Sequence, residues 1–119
     1  MPEKRILLVE DETEFCEIGA VVLRGEGYDV DAAQTVAEAV NLLGRAVYGL
    51  VIADWRLPDG NGLLVANLGA RMGAKTILMT GFLFQIPVDR TDRHDTLMKP
   101  LRPREIVDAV ERSIGKAGL

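Results

Sequence analysis

A chain of 119 residues with a formal net charge of -4 is one domain's worth of polypeptide, long enough to bury about two thirds of the surface its unfolded form exposes. Its 14 Lys and Arg are scattered among 18 Asp and Glu without a basic stripe, which argues against direct nucleic-acid binding, and the single Cys16 excludes an internal disulfide or a cysteine metal cluster and suits a reducing, cytoplasmic compartment. The opening Met1-Pro2-Glu3-Lys4-Arg5 runs into only four apolar residues before acids appear, far short of a signal sequence or membrane span, so the expectation is one domain over 1–119 with no membrane partner.

In chain order, strand and helix patterns alternate. Ile6-Leu7-Leu8-Val9 reads as a first buried strand, and Asp11 or Thr13 is placed to cap a helix whose apolar set is Phe15, Ile18, Val22 and Leu23. Gly25 and Gly27 stop that helix. Tyr28 to Ala33 alternates loosely as a second strand, and Thr35-Val36-Ala37-Glu38 is a capping box that opens a helix with Val36, Ala39, Val40 and Leu43 inward and Gly44 at its end. Leu50-Val51-Ile52-Ala53-Asp54 is an unbroken apolar run ending in a carboxylate, followed by the turn signals Pro58, Gly60 and Gly62. Leu63 to Met72 reads as a third helix and Lys75 to Thr80 as a fourth strand. The segment 81–95 has Pro87 in its middle and a charged tail without helical period, which predicts a fourth helix that is short or irregular. Thr96 to Lys99 is the fifth strand, and Pro103 opens a final helix with Ile106, Val107, Val110 and Ile114 on one face and Gly115 after it. The alternation implies a doubly wound parallel α/β sheet.

In such a sheet, ligands bind outside the carboxyl ends of the strands. If the strands are parallel, the polar residues that end four apolar runs share one rim: Glu10 and Asp11, Asp54, Thr80 and Lys99. Asp54 is the candidate for the reacting atom. Each has a blander reading. Asp54 alone suits a strand-end turn, Glu10 and Asp11 suit a helix N-terminus, Lys99 a solvated surface, and Thr80 an ordinary strand position. His94, in a charged stretch, reads as plain surface, Cys16 as a small packed hydrophobe, and Trp55 as partly exposed.

Taken together, these residues resemble the response-regulator receiver domain of two-component signalling over the whole chain. The family's order is present: an acidic pair after the first strand (Glu10, Asp11), an Asp after the third with Pro58 and Gly62 behind it, Thr80 after the fourth, and Lys99-Pro100 after the fifth. The resemblance implies a flavodoxin-like sheet in the order 2-1-3-4-5 with helices on both faces, and a signalling module rather than an enzyme. It implies Asp54 as phosphoacceptor from a sensor histidine kinase or histidine phosphotransfer protein. It implies Mg²⁺ held by Asp11, Asp54 and the backbone carbonyl of Arg56, with Glu10 acting through a bound water. Lys99 pairs with a phosphoryl oxygen and Thr80 donates its hydroxyl to another. A monomer or weak dimer that docks on a downstream protein, with no output domain, is expected.

Two rival functions fit the residues less well. A small aspartyl-phosphate phosphatase expects a second Asp two residues after the nucleophile, where this chain has Arg56. A pseudo-receiver binds partners unphosphorylated, which fits poorly with a complete set of rim residues. The departures from the family pattern lie near the end of the chain. Many receivers carry an aromatic switch three residues before the lysine, and that position is Thr96. The stretch between Thr80 and Lys99 is shorter than usual, and Thr80-Gly81-Phe82 resembles a subgroup paired with HWE/HisKA2-type kinases of alphaproteobacteria. The signal is therefore expected to leave through Gly81 to Asp95, and the Lys99-Pro100 peptide is expected to be cis, as in the family.

Overall fold

Continuous apolar strands need both faces covered, and the computed structural model, which describes residues 2–81 and 94–118, shows how this chain covers them. After a single helical turn at Pro2–Lys4 come β1 (Arg5–Val9), α1 (Thr13–Gly25), β2 (Asp29–Ala33), α2 (Val36–Leu43) and β3 (Leu50–Asp54). A two-residue antiparallel ladder of Arg56–Leu57 with Gly60–Asn61 leads into α3 (Gly62–Arg71), β4 (Lys75–Thr80), β5 (Asp95–Met98) and α4 (Pro103–Ile114). The five strands of the main sheet lie in the order β2-β1-β3-β4-β5 and every pair is parallel. The family's expected strand order is thus present. The predicted fourth helix, and most of the segment expected to carry the signal, fall on 82–93 and lie outside the described residues.

Alternation along the strands splits the interior into two layers. Ile6, Leu8, Ile52, Ile77 and Met79 face α1 and α4, where they meet Cys16, Ala20, Leu23, Ile106, Val107 and Val110. Leu7, Val9, Val51, Ala53 and Leu78 face α2 and α3, against Val36, Ala39, Leu43, Leu63, Val65 and Ala66. Leu50, Val51, Ile52 and Ala53 are all fully buried, which is why β3 reads as a run without polar interruption.

Two helix faces differ from the sequence expectation. Ile18, expected inward, is 46% exposed, while Cys16, Gly19 and Ala20 pack inward. The reason is distance: a Cβ on Gly19 would stand 3.1 Å from Leu8 Cδ2, so α1 rides too close to the sheet for a branched side chain on that line. Val40 of α2 is likewise 39% exposed. At the helix ends, Glu12 rather than Asp11 or Thr13 occupies the α1 N-cap position, without a side-chain capping bond. Thr35 caps α2 as expected by accepting the Glu38 N–H. Asp59 adds two bonds there, from the Val36 and Ala37 N–H groups at 2.7 and 3.0 Å, and these hold its carboxyl below the ordinary carboxylate range. At α4, Pro103 occupies the first turn and Glu105 accepts the Arg102 N–H.

Burial reverses one surface assignment. His94 is 8% exposed. Its Nδ1 is 2.5 Å from Thr76 Oγ1 on β4 and its Nε2 is 2.7 Å from Asn67 Oδ1 on α3. Both ring nitrogens have polar partners, so the ring enters the fold without an unsatisfied group. A charged stretch of sequence does not reveal partners 18 and 27 residues away.

The tyrosines lie far from the rim residues and report on the fold. Tyr48 donates to Asp31 Oδ2 at 2.7 Å and Tyr28 to the Gly115 carbonyl at 2.6 Å. Burial, then the hydrogen bond and charge of Asp31, push Tyr48 up to about 12. Burial, with Glu111 and Glu26 nearby, also raises Tyr28. A raised phenol contributes stability in full below its unfolded value of about 10 and loses it as pH rises through the folded value. Spectrophotometric titration is therefore expected to show neither tyrosine of the folded chain ionising with a midpoint near 10. A phenolate absorbance step at that pH with the circular dichroism unchanged contradicts this.

Candidate functional site

Register alone brings the rim residues together. Val9 of β1 pairs with Ala53 of β3, so Glu10 emerges beside Asp54. Asp54 pairs with Met79, which places Thr80 one step beyond it on β4. Thr80 pairs with Met98, so Lys99 leaves the next strand at the same height. The Lys99 N–H donates to the Thr80 carbonyl at 2.9 Å, and the Lys99-Pro100 peptide is cis, as expected. All of Glu10, Asp11, Asp54, Arg56, Thr80 and Lys99 line one crevice of about 470 Å³ at the carboxyl edge of the sheet, together with Glu12 and Gly81.

Charge organises the interior of that crevice. The Lys99 ammonium bridges two carboxylates, with Glu10 Oε1 at 2.5 Å and Asp54 Oδ2 at 2.7 Å. Glu10 is fully buried, and its other oxygen accepts the Glu12 N–H at 2.9 Å. The remaining oxygen of Asp54 accepts the Arg56 N–H at 3.2 Å. Burial pushes the Glu10 carboxyl up to about 7 and Asp54 acts in the same direction, against the bonds from Lys99 and Glu12 that pull it down. Burial works against the Lys99 ammonium, but the hydrogen bonds to Asp54 and Glu10 and their charges outweigh it and raise its value. Thr80 is 3% exposed, and Asp11 is exposed at the mouth.

One carboxylate oxygen each from Glu10, Asp11 and Asp54 lies within 4.8 Å of the others. Such an all-oxygen, anionic donor set suits a small hard divalent cation, which keeps several waters and takes few protein ligands. Gly62 fixes the floor. A Cβ there would lie 2.1 Å from the Asp54 carbonyl oxygen, so only glycine lets α3 begin this close to the end of β3. Gly62 thus does more than permit the turn that its place after Pro58 and Gly60 suggests.

The match that decides the family covers residues 6–111, which fit the description response regulator receiver domain. The chain belongs to that family. As a receiver it resembles the DNA-binding response regulator MtrA of Mycobacterium tuberculosis, 32% identical over 111 residues, 90% of this chain and 49% of that protein. It spans about half the length of the curated relatives it matches. Among solved structures it resembles the receiver domain protein of Methanospirillum hungatei, with a TM-score of 0.82 and 27% identity over 93% of each chain. It also resembles TrrA of Thermotoga maritima in complex with Mg²⁺-BeF, with a TM-score of 0.81 and 30% identity over 92% of this receiver and 97% of that chain. Phosphorylation-based two-component signalling is the family's role. Among the described residues no helix is long and apolar enough to cross a membrane.

Three features of the site do not follow from apolar spacing and strand ends. The Glu12 N–H turns back onto Glu10, the Phe15 ring lies 4.7 Å from the Lys99 ammonium, and Asp59 ties the turn after β3 to α2. In the sequence Phe15 reads as a core position alone. Its place one helical turn beyond Asp11 was the available hint, since that turn stands directly over the rim.

Proposed function

We propose that this receiver takes a phosphoryl group onto Asp54 from the phosphohistidine of a sensor kinase or histidine phosphotransfer protein, in a Mg²⁺-dependent reaction. The phosphorylated chain then signals by docking on a protein target or by passing the group on. The observation that carries this reading is the Lys99 ammonium joining Asp54 to a fully buried Glu10, with Asp11 within ligand distance of both.

The transfer balances simply. An Asp54 oxygen forms a bond to phosphorus as the phosphorus–nitrogen bond of the phosphohistidine breaks, and the electron pair returns to the imidazole. The Asp54 side chain enters the reaction as the anionic partner of the Lys99 ammonium. Its obstacle is repulsion from the phosphoryl oxygens. Asp11 and Asp54, with the Arg56 carbonyl, would hold Mg²⁺, while Glu10, already bonded by Lys99 and the Glu12 N–H, acts from behind them. When bound, the ion supplies positive charge that offsets the repulsion between carboxylates and phosphoryl oxygens. Lys99 exchanges an Asp54 oxygen for a phosphoryl oxygen, and Thr80 offers its hydroxyl to another. Positioning and charge neutralisation then carry the reaction. The Mg²⁺-BeF complex of the related TrrA supports this assignment.

Incubation with Mg²⁺ and a small acyl phosphate, read by intact mass, tests it. The wild type is expected to gain one phosphoryl group, which Asp54→Asn does not, and chelation of the metal is expected to prevent the gain. Equal modification of both proteins, or none of the wild type, overturns the reading.

A further inference from the structure

A lysine ammonium on a flexible four-carbon stem has many rotamers open to it, and phosphoryl transfer needs this one in a single place. Two directions around the Lys99 nitrogen are occupied by Glu10 Oε1 and Asp54 Oδ2. The third contact is aromatic: the nitrogen stands over the Phe15 ring, 4.7 Å from its centroid, inside the roughly 6 Å reach of a cation–π attraction. Phe15 lies in the first turn of α1 and packs on the cluster that includes Ile6, Leu8 and Ile106. The ring is therefore fixed by the core and offers its electron density to the ammonium.

We propose that Phe15 is a positioning residue for phosphoryl transfer, its ring holding the Lys99 ammonium at the point where it meets the phosphoryl group on Asp54. This rests on the reading of Asp54 as acceptor. The contact has a use that packing alone lacks. Once phosphorus is attached, Lys99 gives up its bond to an Asp54 oxygen and takes a phosphoryl oxygen, so one of its two anionic partners changes during the reaction. The ring does not change and serves as the pivot. A leucine fills similar space but has no quadrupole. The ammonium would then face an apolar wall on that side, and the stem, 21% exposed, has a way out to solvent.

The test uses the full chain with Phe15→Leu and Phe15→Tyr. In the wild type, nuclear magnetic resonance is expected to show the Lys99 methylene protons next to the nitrogen shifted upfield by the ring. The Tyr variant keeps that shift and the Leu variant loses it. With Mg²⁺ and a small acyl phosphate, the Leu variant is expected to be phosphorylated about three- to tenfold more slowly than wild type, with Tyr within about twofold. A Leu variant that reacts at the wild-type rate overturns the proposal, as does an equal slowing of both variants, which makes Phe15 a volume filler. A wild type that accepts no phosphoryl group overturns the Asp54 reading and the kinetic role of Phe15 together. A wild type that reacts beside an unslowed Leu variant overturns the role of Phe15 alone.

Discussion

Gly62→Ala is expected to lower stability by about 3 kcal/mol or more and the melting temperature by roughly 10 °C or more, beyond the usual range for an added methyl. The new Cβ would meet the Asp54 carbonyl oxygen at 2.1 Å and its carbon at 2.8 Å. Both are backbone atoms of the central strand, with no rotamer to change. Gly62 is the first residue of α3, and its own N–H donates to the Trp55 carbonyl at 2.9 Å, so the helix cannot retreat without breaking the turn that follows the acceptor. Relaxation must move either α3 or Asp54 itself, and phosphorylation is expected to fall even at temperatures where the variant stays folded. Gly81 is the control. Among the described residues a Cβ there meets nothing within 4 Å, and its φ is not in the left-handed region, so Gly81→Ala is expected to melt close to wild type. Thermal unfolding followed by circular dichroism decides the matter, and a Gly62→Ala melt within about 2 °C of wild type contradicts the packing described.

Lys99→Met removes the cation from between two carboxylates, and its cost depends on pH. Leaving one member of a buried pair without its partner costs about 3 to 5 kcal/mol when the charge cannot neutralise. Glu10 can neutralise. Its carboxyl is already pushed up to about 7 by burial and Asp54, and without Lys99 it rises further. A carboxyl raised in the folded state contributes its stability in full below the unfolded value and loses it as pH rises through the folded one. The variant is therefore expected to lose about 3 kcal/mol at pH 8 and clearly less near pH 5, where Glu10 takes up a proton. Phosphorylation by a small donor is expected to slow by about a hundredfold, the effect of losing one group aimed at developing charge. Urea unfolding at the two pH values measures the first effect and the rate of mass gain the second. A stability loss that is the same at both values, or a wild-type rate, contradicts this account.

The sheet was legible because its strands carry their own signature. Leu50 to Ala53 and Ile6 to Val9 are buried on both faces, and a polar residue one step past each strand end falls on a shared rim once the strands are parallel. The site followed from that geometry: Glu10, Asp11, Asp54, Arg56, Thr80 and Lys99 line one crevice. The helix faces were less legible. Period 3.6 finds an apolar stripe but not how closely the helix approaches, and where α1 comes near Leu8 the inward line is Cys16, Gly19 and Ala20, which leaves Ile18 and Val21 at 46% and 66% exposed. His94 escaped because its partners Thr76 and Asn67 are distant in sequence. Phe15 escaped because an aromatic at a core position on a helix looks the same whether its ring meets only leucines or also an ammonium.

The most direct test of the account is to place the phosphoryl group on a named residue. After reaction with Mg²⁺ and a small acyl phosphate, borohydride reduces an aspartyl phosphate to homoserine, which peptide mass spectrometry can locate. Homoserine at position 54, absent when the metal is chelated, is the result the account predicts. Label at Asp11, Glu10 or any other acid while Asp54 remains intact contradicts it.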